Sequence, residues 1–323
     1  MMKQGEKLLL CLFALLLASA GMENVAFAKY PEKKIRLIVT MAAGGGADLT
    51  ARLLVQYANP FLGGRLYVDN VTGGGGAIGL REATKAAPDG YTVVGLVTNS
   101  TIGPFTIKNF PTSDTYEPLC LVATDPTTFA VKADSRFKTL QEFIKYSKDH
   151  PGELTTANAG TGGANYLATA AFLDAAGIKL TMIPYKGSAP AIVAAMGGHV
   201  DSVTAGCSEV LNYVEGKKLR PLATFSAKRS RLFPDVPTAR ELGYDVTFFL
   251  WRGIGVPKGT PDEVKTVLAD AFRKAAANEQ FRKSTEQAGL ELSFLGPKEA
   301  AVWMKAQYEA NKALTAKIGL KPE

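Results

Sequence analysis

Three times along this chain a short apolar run leads into a cluster of glycines and then into a helix-forming segment, at positions 44–48, 73–79 and 160–165. That repetition constrains the fold more than any other feature. A short apolar run bounded by turn residues reads as a buried strand. Strands alternating with helical segments build βαβ units, and so a parallel sheet with helices on its faces. Ile35 to Met41, Leu66 to Asn70 and Tyr91 to Val97 form the first strands, with helices over Asp48 to Ala58 and Ala77 to Ala87. Pro88-Asp89-Gly90 supplies a turn before the third strand, Pro presetting φ and Gly allowing positive φ.

The middle of the chain repeats the rhythm. Strands are expected at Thr127 to Val131, Leu154 to Asn158, Met182 to Tyr185, Val200 to Ala205 and Leu222 to Ser226. Helices are expected from Thr139 to Asp149, from the third glycine cluster to Ala176, from Ser188 to Met196 and from Glu209 to Gly216. Thr139 with Glu142 three residues later makes a capping box. The last third holds a strand near Phe248 to Val256 and helices at Pro261 to Ala277 and Pro297 to Ile318. Each of these helices opens on a proline, whose missing N–H is harmless in the first turn.

Residues 1–28 read as a secretory signal peptide rather than part of the fold. Lys3 and Lys7 form a basic start, Leu8 to Ala18 an apolar core, and Ala26-Phe27-Ala28 an A-x-A cleavage site. The apolar core is shorter than the ~20 residues a membrane span needs. Removing the leader takes away two basic and two acidic residues and leaves the net charge at +7. That balance favours anionic partners. The basic residues are scattered and not interleaved with aromatics, so nucleic acid is not an expected partner. Cys120 and Cys207 remain after cleavage; they are either a disulfide of an exported protein or two buried thiols, and spacing does not choose between these.

The glycine clusters carry the candidate chemistry. Gly44-Gly45-Gly46-Ala47-Asp48 lies between a buried strand and a helix start. Bare backbone there can approach a ligand, and the helix N-terminus adds partial positive charge, which together make an anion site. A dinucleotide fingerprint is spoiled by Leu49 where a third glycine belongs. The plainer reading is a turn with Asp48 as N-cap. The second cluster, with Gly73 and Gly74, gains weight beside the first because adjacent parallel strands place their C-terminal loops side by side. The third offers Thr161, Gly162, Gly163 and Asn165 at another helix start. No G-x-S-x-G, H-E-x-x-H or C-x-x-C string is present, and neither His150 nor His199 has a nucleophile near it in sequence. Catalytic residues, metal ligands and a cofactor are not expected.

These strings resemble the Bug family, the extracytoplasmic solute receptors of tripartite tricarboxylate transporters. The resemblance runs in order through Tyr30-Pro31, Ile35 to Val39, Ala43 to Asp48, Val68-Asp69-Asn70, Gly73 to Gly79 and Ala87-Pro88-Asp89-Gly90-Tyr91-Thr92. It continues through Pro151-Gly152, Gly160 to Gly163, Pro184 to Pro190, Gly197-Gly198, Val200-Asp201, Trp251 and Pro257 to Pro261. It implies a periplasmic-binding-protein-like (type II) α/β fold, with two doubly wound α/β domains around a ligand cleft. The domains would be 29–124 plus 228–323, and 125–227, with the chain crossing near Thr124 to Pro126 and near Phe225. The ligand would be a small carboxylate: a di- or tricarboxylate, an acidic amino acid or an aromatic acid. Loop backbone and ordered water, rather than an arginine fork, would grip it.

The resemblance places Gly45, Gly46, Asp48, Thr161, Gly162 and Gly163 near the ligand, with Thr98, Ser100, Tyr185 and Asp201 as secondary candidates. It implies a periplasmic monomer that serves a large and a small integral membrane subunit and is not an enzyme. Met41-Ala42-Ala43, Val71-Thr72 and Tyr166 depart from the family pattern, so ligand identity does not carry over. A sensor subunit for a signalling receptor and an exported enzyme are the alternative readings.

Overall fold

A computed structural model of the chain describes residues 30–322. The expected leader and its cleavage point lie outside the described residues. From Lys33 onward the chain forms one compact unit. Its first strands are β1 (Ile35–Val39), β2 (Leu66–Asn70) and β3 (Thr92–Val97). They alternate with α1 (Gly46–Ala58), α2 (Ala77–Lys85) and α3 (Asn99–Thr106). β1 lies between β2 and β3 and is parallel to both. Ile35, Leu37, Ile38 and Val39 are all buried, as expected of a parallel strand covered on both faces.

β4 (Tyr116–Lys132) is 17 residues long and organises the rest. The expected strand at Thr127 to Val131 is only its end. The middle of the chain follows as α4 (Leu140–Asp149), β5 (Thr155–Asn158), α5 (Ala164–Ala176), β6 (Thr181–Pro184), α6 (Ser188–Gly197), β7 (Ser202–Gly206), α7 (Cys207–Glu215) and β8 (Leu219–Thr224). The last elements are β9 (Phe249–Pro257), α8 (Asp262–Ala277), α9 (Glu279–Gln287), β10 (Glu291–Leu295) and α10 (Pro297–Lys317). The ten strands join in the order β2-β1-β3-β9-β4-β7-β5-β6, with β8 and β10 also on β4. This is a mixed α/β fold around a curled sheet.

β4 changes partners partway along. From Tyr116 to Pro126 it pairs antiparallel with β9, and from Thr127 onward with β7 and β8. Pro126 has no N–H to give a ladder and sits at the changeover. Thr127 continues the chain's bonding with its N–H and hydroxyl both on the Phe248 carbonyl.

Separate apolar clusters flank the two stretches. One gathers Ile38, Leu80, Val94, Leu96, Trp251 and Met304. Another is aromatic, with Phe129 5.0 Å from both Phe143 and Phe172, centroid to centroid. The Phe129–Phe143 pair is edge-on and the Phe129–Phe172 pair tilted, and edge-on aromatic contacts add to plain area burial.

Thr139 accepts the Glu142 N–H at 3.2 Å, and Glu142 returns a bond to the Thr139 N–H at 3.3 Å, completing the expected capping box. Helix α1 starts two residues before its expected beginning. Gly45, in extended conformation, is its N-cap, which puts Asp48 at the third helical position instead. Pro261 is likewise the cap of α8, and Pro297 the first residue of α10. The sequence pattern does not reveal α3, α9 or β10. Pro104 inside α3 hides that helix, and polar α9 has only Phe281 and Thr285 buried. Cys120 and Cys207 are free, buried thiols. Burial pushes Cys120 up to about 12 and Cys207 well above the ordinary thiol range.

Candidate functional site

The first glycine loop is clamped from behind by Asp48. Its Oδ2 accepts the Gly44 N–H and Arg52 Nε, each at 2.9 Å, and its Oδ1 accepts Asn70 Nδ2 at 3.0 Å. Asn70 also donates to the Met41 carbonyl at 3.0 Å, which ties the end of β2 to the same loop. Asp48 is buried, and burial by itself would raise its pKa. Arg52, the Gly44 N–H and Asn70 outweigh burial and hold the carboxyl below its ordinary range. Both Asp48 oxygens are therefore used inside the protein, setting the shape of the loop. Gly44, at φ +80°, and Gly45 remain exposed above the N-terminus of α1, whose first N–H groups have no intrahelical acceptor.

In the second loop Gly73, Gly74, Gly75 and Gly76 all have positive φ, between 56° and 125°. That path is close to closed for residues with a Cβ. In the third, Gly160 and Gly162 have positive φ and Gly163 caps α5. A Cβ on Gly162 would stand 2.8 Å from Thr106 Cβ, so the loop lies directly against α3.

A residue that sequence reading did not single out joins these two loops. Asn99, the first residue of α3, donates from Nδ2 to the Gly75 carbonyl at 2.9 Å. Its Oδ1 accepts the Ala164 N–H, at the first position of α5, at 3.2 Å. A carboxamide oxygen thus occupies a helix-start position where an anionic oxygen is favourable.

The other expected residues divide into two groups. Thr161 is exposed beside Gly162. Asn165 is buried, with Nδ2 on Ser188 Oγ at 3.1 Å and Oδ1 without a partner. Tyr185 is half-buried, and its N–H donates to the Asn158 carbonyl at 2.8 Å. Three others use their side chains within the fold. Thr98 Oγ1 accepts the Trp251 N–H at 2.8 Å, and Ser100 Oγ accepts the Val97 N–H at 3.1 Å. Asp201 Oδ2 accepts both the N–H and the hydroxyl of Thr155, each at 2.8 Å, fastening β5 to the start of β7. His150 and His199 are exposed, His150 stacked on Tyr146.

One buried cation stands behind the first loop. Arg252, on β9, is 6% exposed, and a Cβ on Gly46 would collide with its Nη2 and lie 3.0 Å from its Cζ. Its nearest carboxylate is Asp125, whose Oδ2 is 3.6 Å from Nη2. Asp125 is fully buried and accepts the Ser208 hydroxyl at 2.6 Å and the Ser208 N–H at 3.1 Å. Burial pushes Asp125 up to about 6, despite the opposing pull of Arg252 and Ser208. A basic residue directly after a buried tryptophan was the one available signal for Arg252, and the sequence does not reveal its distant partner. Among the described residues no cluster of histidine, cysteine and acidic side chains could hold a metal, and no helix is long and apolar enough to cross a membrane.

An α/β sheet with glycine-rich loops at helix starts and a strand shared between two sets of partners is the architecture of the periplasmic binding proteins. The structure matches that of the periplasmic binding protein BugD with a TM-score of 0.83 at 31% identity, covering 91% of this chain and all of that one. It also matches an R. palustris protein solved with adipate, with a TM-score of 0.85 at 24% identity, over 91% of this chain and all of that one. A UPF0065 protein encoded in the gbd 5' region of Cupriavidus necator is 34% identical over 293 residues, 90% of this chain and 89% of the relative. A sequence profile described as "Tripartite tricarboxylate transporter family receptor" matches residues 50–320. The chain belongs to that family of solute-binding receptors.

Proposed function

We propose that this receptor captures a small carboxylate between two α/β lobes, 29–124 with 228–323 and 125–227, and delivers it to large and small membrane subunits of a tripartite transporter. It works in the periplasm as a monomer, after loss of its leader near Ala28. A di- or tricarboxylate, an acidic amino acid and an aromatic acid are the candidate ligands. One observation carries this reading: the first glycine loop exposes backbone at the start of α1, and at the start of α5 Asn99 already presents a carbonyl oxygen to the Ala164 N–H. Aligned N–H groups at two helix starts favour anions of carboxylate size. The fold match to a protein solved with adipate agrees with that chemistry. The partner switch of β4 at Pro126 supports a hinge there.

The test is a thermal-shift screen of the mature protein, refolded to strip retained ligand, against C4–C6 di- and tricarboxylates, acidic amino acids and benzoate-like acids. A ligand at 100 times its Kd adds ~2.7 kcal/mol, or several degrees at ~2–4 °C per kcal/mol. A strong shift with one class, and no chemical change in the acid afterwards, supports a carboxylate receptor. A flat panel counts against it, and turnover of the acid would favour an exported enzyme.

A further inference from the structure

We infer that the C-terminal end of α10 is a strap: it reaches from the first lobe onto the aromatic core of the second, and the lobes open fully only when that end lets go. The inference rests on the two-lobe clamp proposed above and adds the element that restrains it.

α10 is shared between two cores. Its first half belongs to the cluster of Ile38, Leu96 and Trp251. Ala300 and Met304 are buried there, and Trp303 stands edge-on to Trp251 with ring centroids 5.6 Å apart. The last turns leave that cluster. Leu314 and Ile318, with Leu320 just beyond, pack against the cluster of Phe129, Phe143 and Phe172. Lys317 Nζ adds an ion pair with Asp174 Oδ2 of α5 at 2.5 Å. The helix has 21 residues, which at about 1.5 Å each makes a rod of about 31 Å.

α3 is held between the strap and the third glycine loop. Asn311 Nδ2 donates to Thr101 Oγ1 at 3.0 Å, and the Tyr308 ring lies 4.8 Å from that of Phe105. Ile102, on the same short helix, is buried in the second cluster. Asn99 and Thr106, its two end residues, lie against Ala164 and Gly162. A docked α10 therefore keeps α3 pressed on the loop that opens α5.

Elsewhere the chain passes between the lobes where β4 changes partners, Pro126 pairing with Phe249 of β9. Adjacent strands at a crossing absorb a hinge rotation in a few residues. A rod packed on both cores resists that rotation until one end releases. The C-terminal end is the weaker hold. Leu314, Ile318 and Leu320 are only half-buried, and the Lys317 and Asp174 side chains are 66% and 41% exposed, whereas Ala300 and Met304 are buried. Exposed ion pairs add little, and segments with few buried apolar contacts open first.

The experiment is small-angle scattering of the ligand-free protein without its leader, joined to hydrogen exchange of peptides covering 311–322. Leu314→Ala combined with Ile318→Ala removes most of the docked apolar surface. Its radius of gyration should exceed that of the wild type by about 1 Å, against the ~19 Å of a compact chain of this length. Exchange over 311–322 should rise by about tenfold or more. Val302→Ala, on the exposed face of the helix's first half, should match the wild type in both. Lys317→Glu sets like charges together and should raise exchange about threefold, and adding Asp174→Lys should restore it. That pair carries the test if the double alanine variant does not fold. For the acid that shifts the wild type most, release followed by stopped flow should be about tenfold faster in the double alanine variant, because exit requires opening. Unchanged exchange would show that these side chains do not hold the end of α10. Faster exchange with the wild-type radius and release rate would reduce that end to a fraying terminus. Either result overturns the strap. Scattering and exchange involve no ligand, so a flat thermal-shift panel bears on the carboxylate reading and leaves the strap to be decided separately.

Discussion

Asn99 Oδ1 accepts the backbone N–H of Ala164 at 3.2 Å while its Nδ2 holds the Gly75 carbonyl at 2.9 Å. One carboxamide therefore fastens the second glycine loop to the third. Asn99→Ala removes both bonds without adding bulk. One bond is exposed and the other part-buried, and each contributes about 1 kcal/mol net, so global stability should fall only modestly. The local effect should be larger. Hydrogen exchange of peptides covering 73–76 and 160–166 should speed up, while α1, which Asn99 does not touch, keeps its protection. Unchanged exchange in both loops would show that Asn99 is not what joins them.

Asp48 should be a stability residue with a definite pH signature. Asp48→Asn keeps the shape but replaces one of two charged acceptor oxygens with a donor facing Arg52 or Asn70. A cost of about 2 kcal/mol is expected, as for lost bonds to a charged group. The native carboxyl sits below its ordinary range, so its contribution is complete above the unfolded pKa of about 3.9 and is lost as pH falls through the lower folded value. Urea unfolding of both proteins at pH 7 and pH 3 measures this. The gap should narrow at the acid end, and a gap that stays constant would contradict the assigned ion pair.

What the sequence disclosed about this protein was its local chemistry. The Thr139–Glu142 capping box, the glycines that break each strand and the apolar strands β1 to β3 could be read because each signal lies within a few residues of its effect. Helix α3 was hidden because Pro104 and Gly103 argue against a helix, and packing on α10 overrides that propensity: Asn311 reaches Thr101 at 3.0 Å. β4 was read short because Pro126 looks like a strand end, whereas it marks a change of partners. At the candidate site the glycine loops were legible and their supports were not. Asn99 and Arg252 acquire meaning only from Ala164, Gly75, Gly46 and Asp125, which the fold brings to them from far along the chain.

Thr98 separates structural from ligand roles. Its hydroxyl accepts the N–H of buried Trp251 at 2.8 Å, joining the end of β3 to β9. Thr98→Val preserves shape and leaves that N–H without an acceptor, at an expected cost of about 1–3 kcal/mol. For the acid that shifts the wild type most, affinity should stay within about threefold. A variant of native stability with much weaker binding would instead make Thr98 a ligand contact, as the family resemblance implies.

Asp125 should oppose folding as pH rises, the reverse of Asp48. The groups facing it are Arg252 of β9 at 3.6 Å, Ser208 of α7, and Glu209, whose like charge discourages ionisation. Burial is the largest influence and puts the carboxyl at about 6 in the folded chain, from an ordinary value of 3.8. A raised acid binds its proton more tightly when folded. Its stabilising contribution is therefore complete below about 3.8 and is lost as pH climbs through about 6. Two pKa units correspond to about 3 kcal/mol. Asp125→Asn cannot titrate and keeps the other acids of the chain, so subtracting the two stability curves isolates this group. Measured by urea unfolding at pH 4, 5, 6 and 7, wild-type stability relative to Asp125→Asn should decline across the series and level off near pH 7. Parallel curves would mean that Asp125 ionises as readily in the folded protein as in the unfolded chain. Its burial beside Arg252 would then be matched in full by the attraction between them.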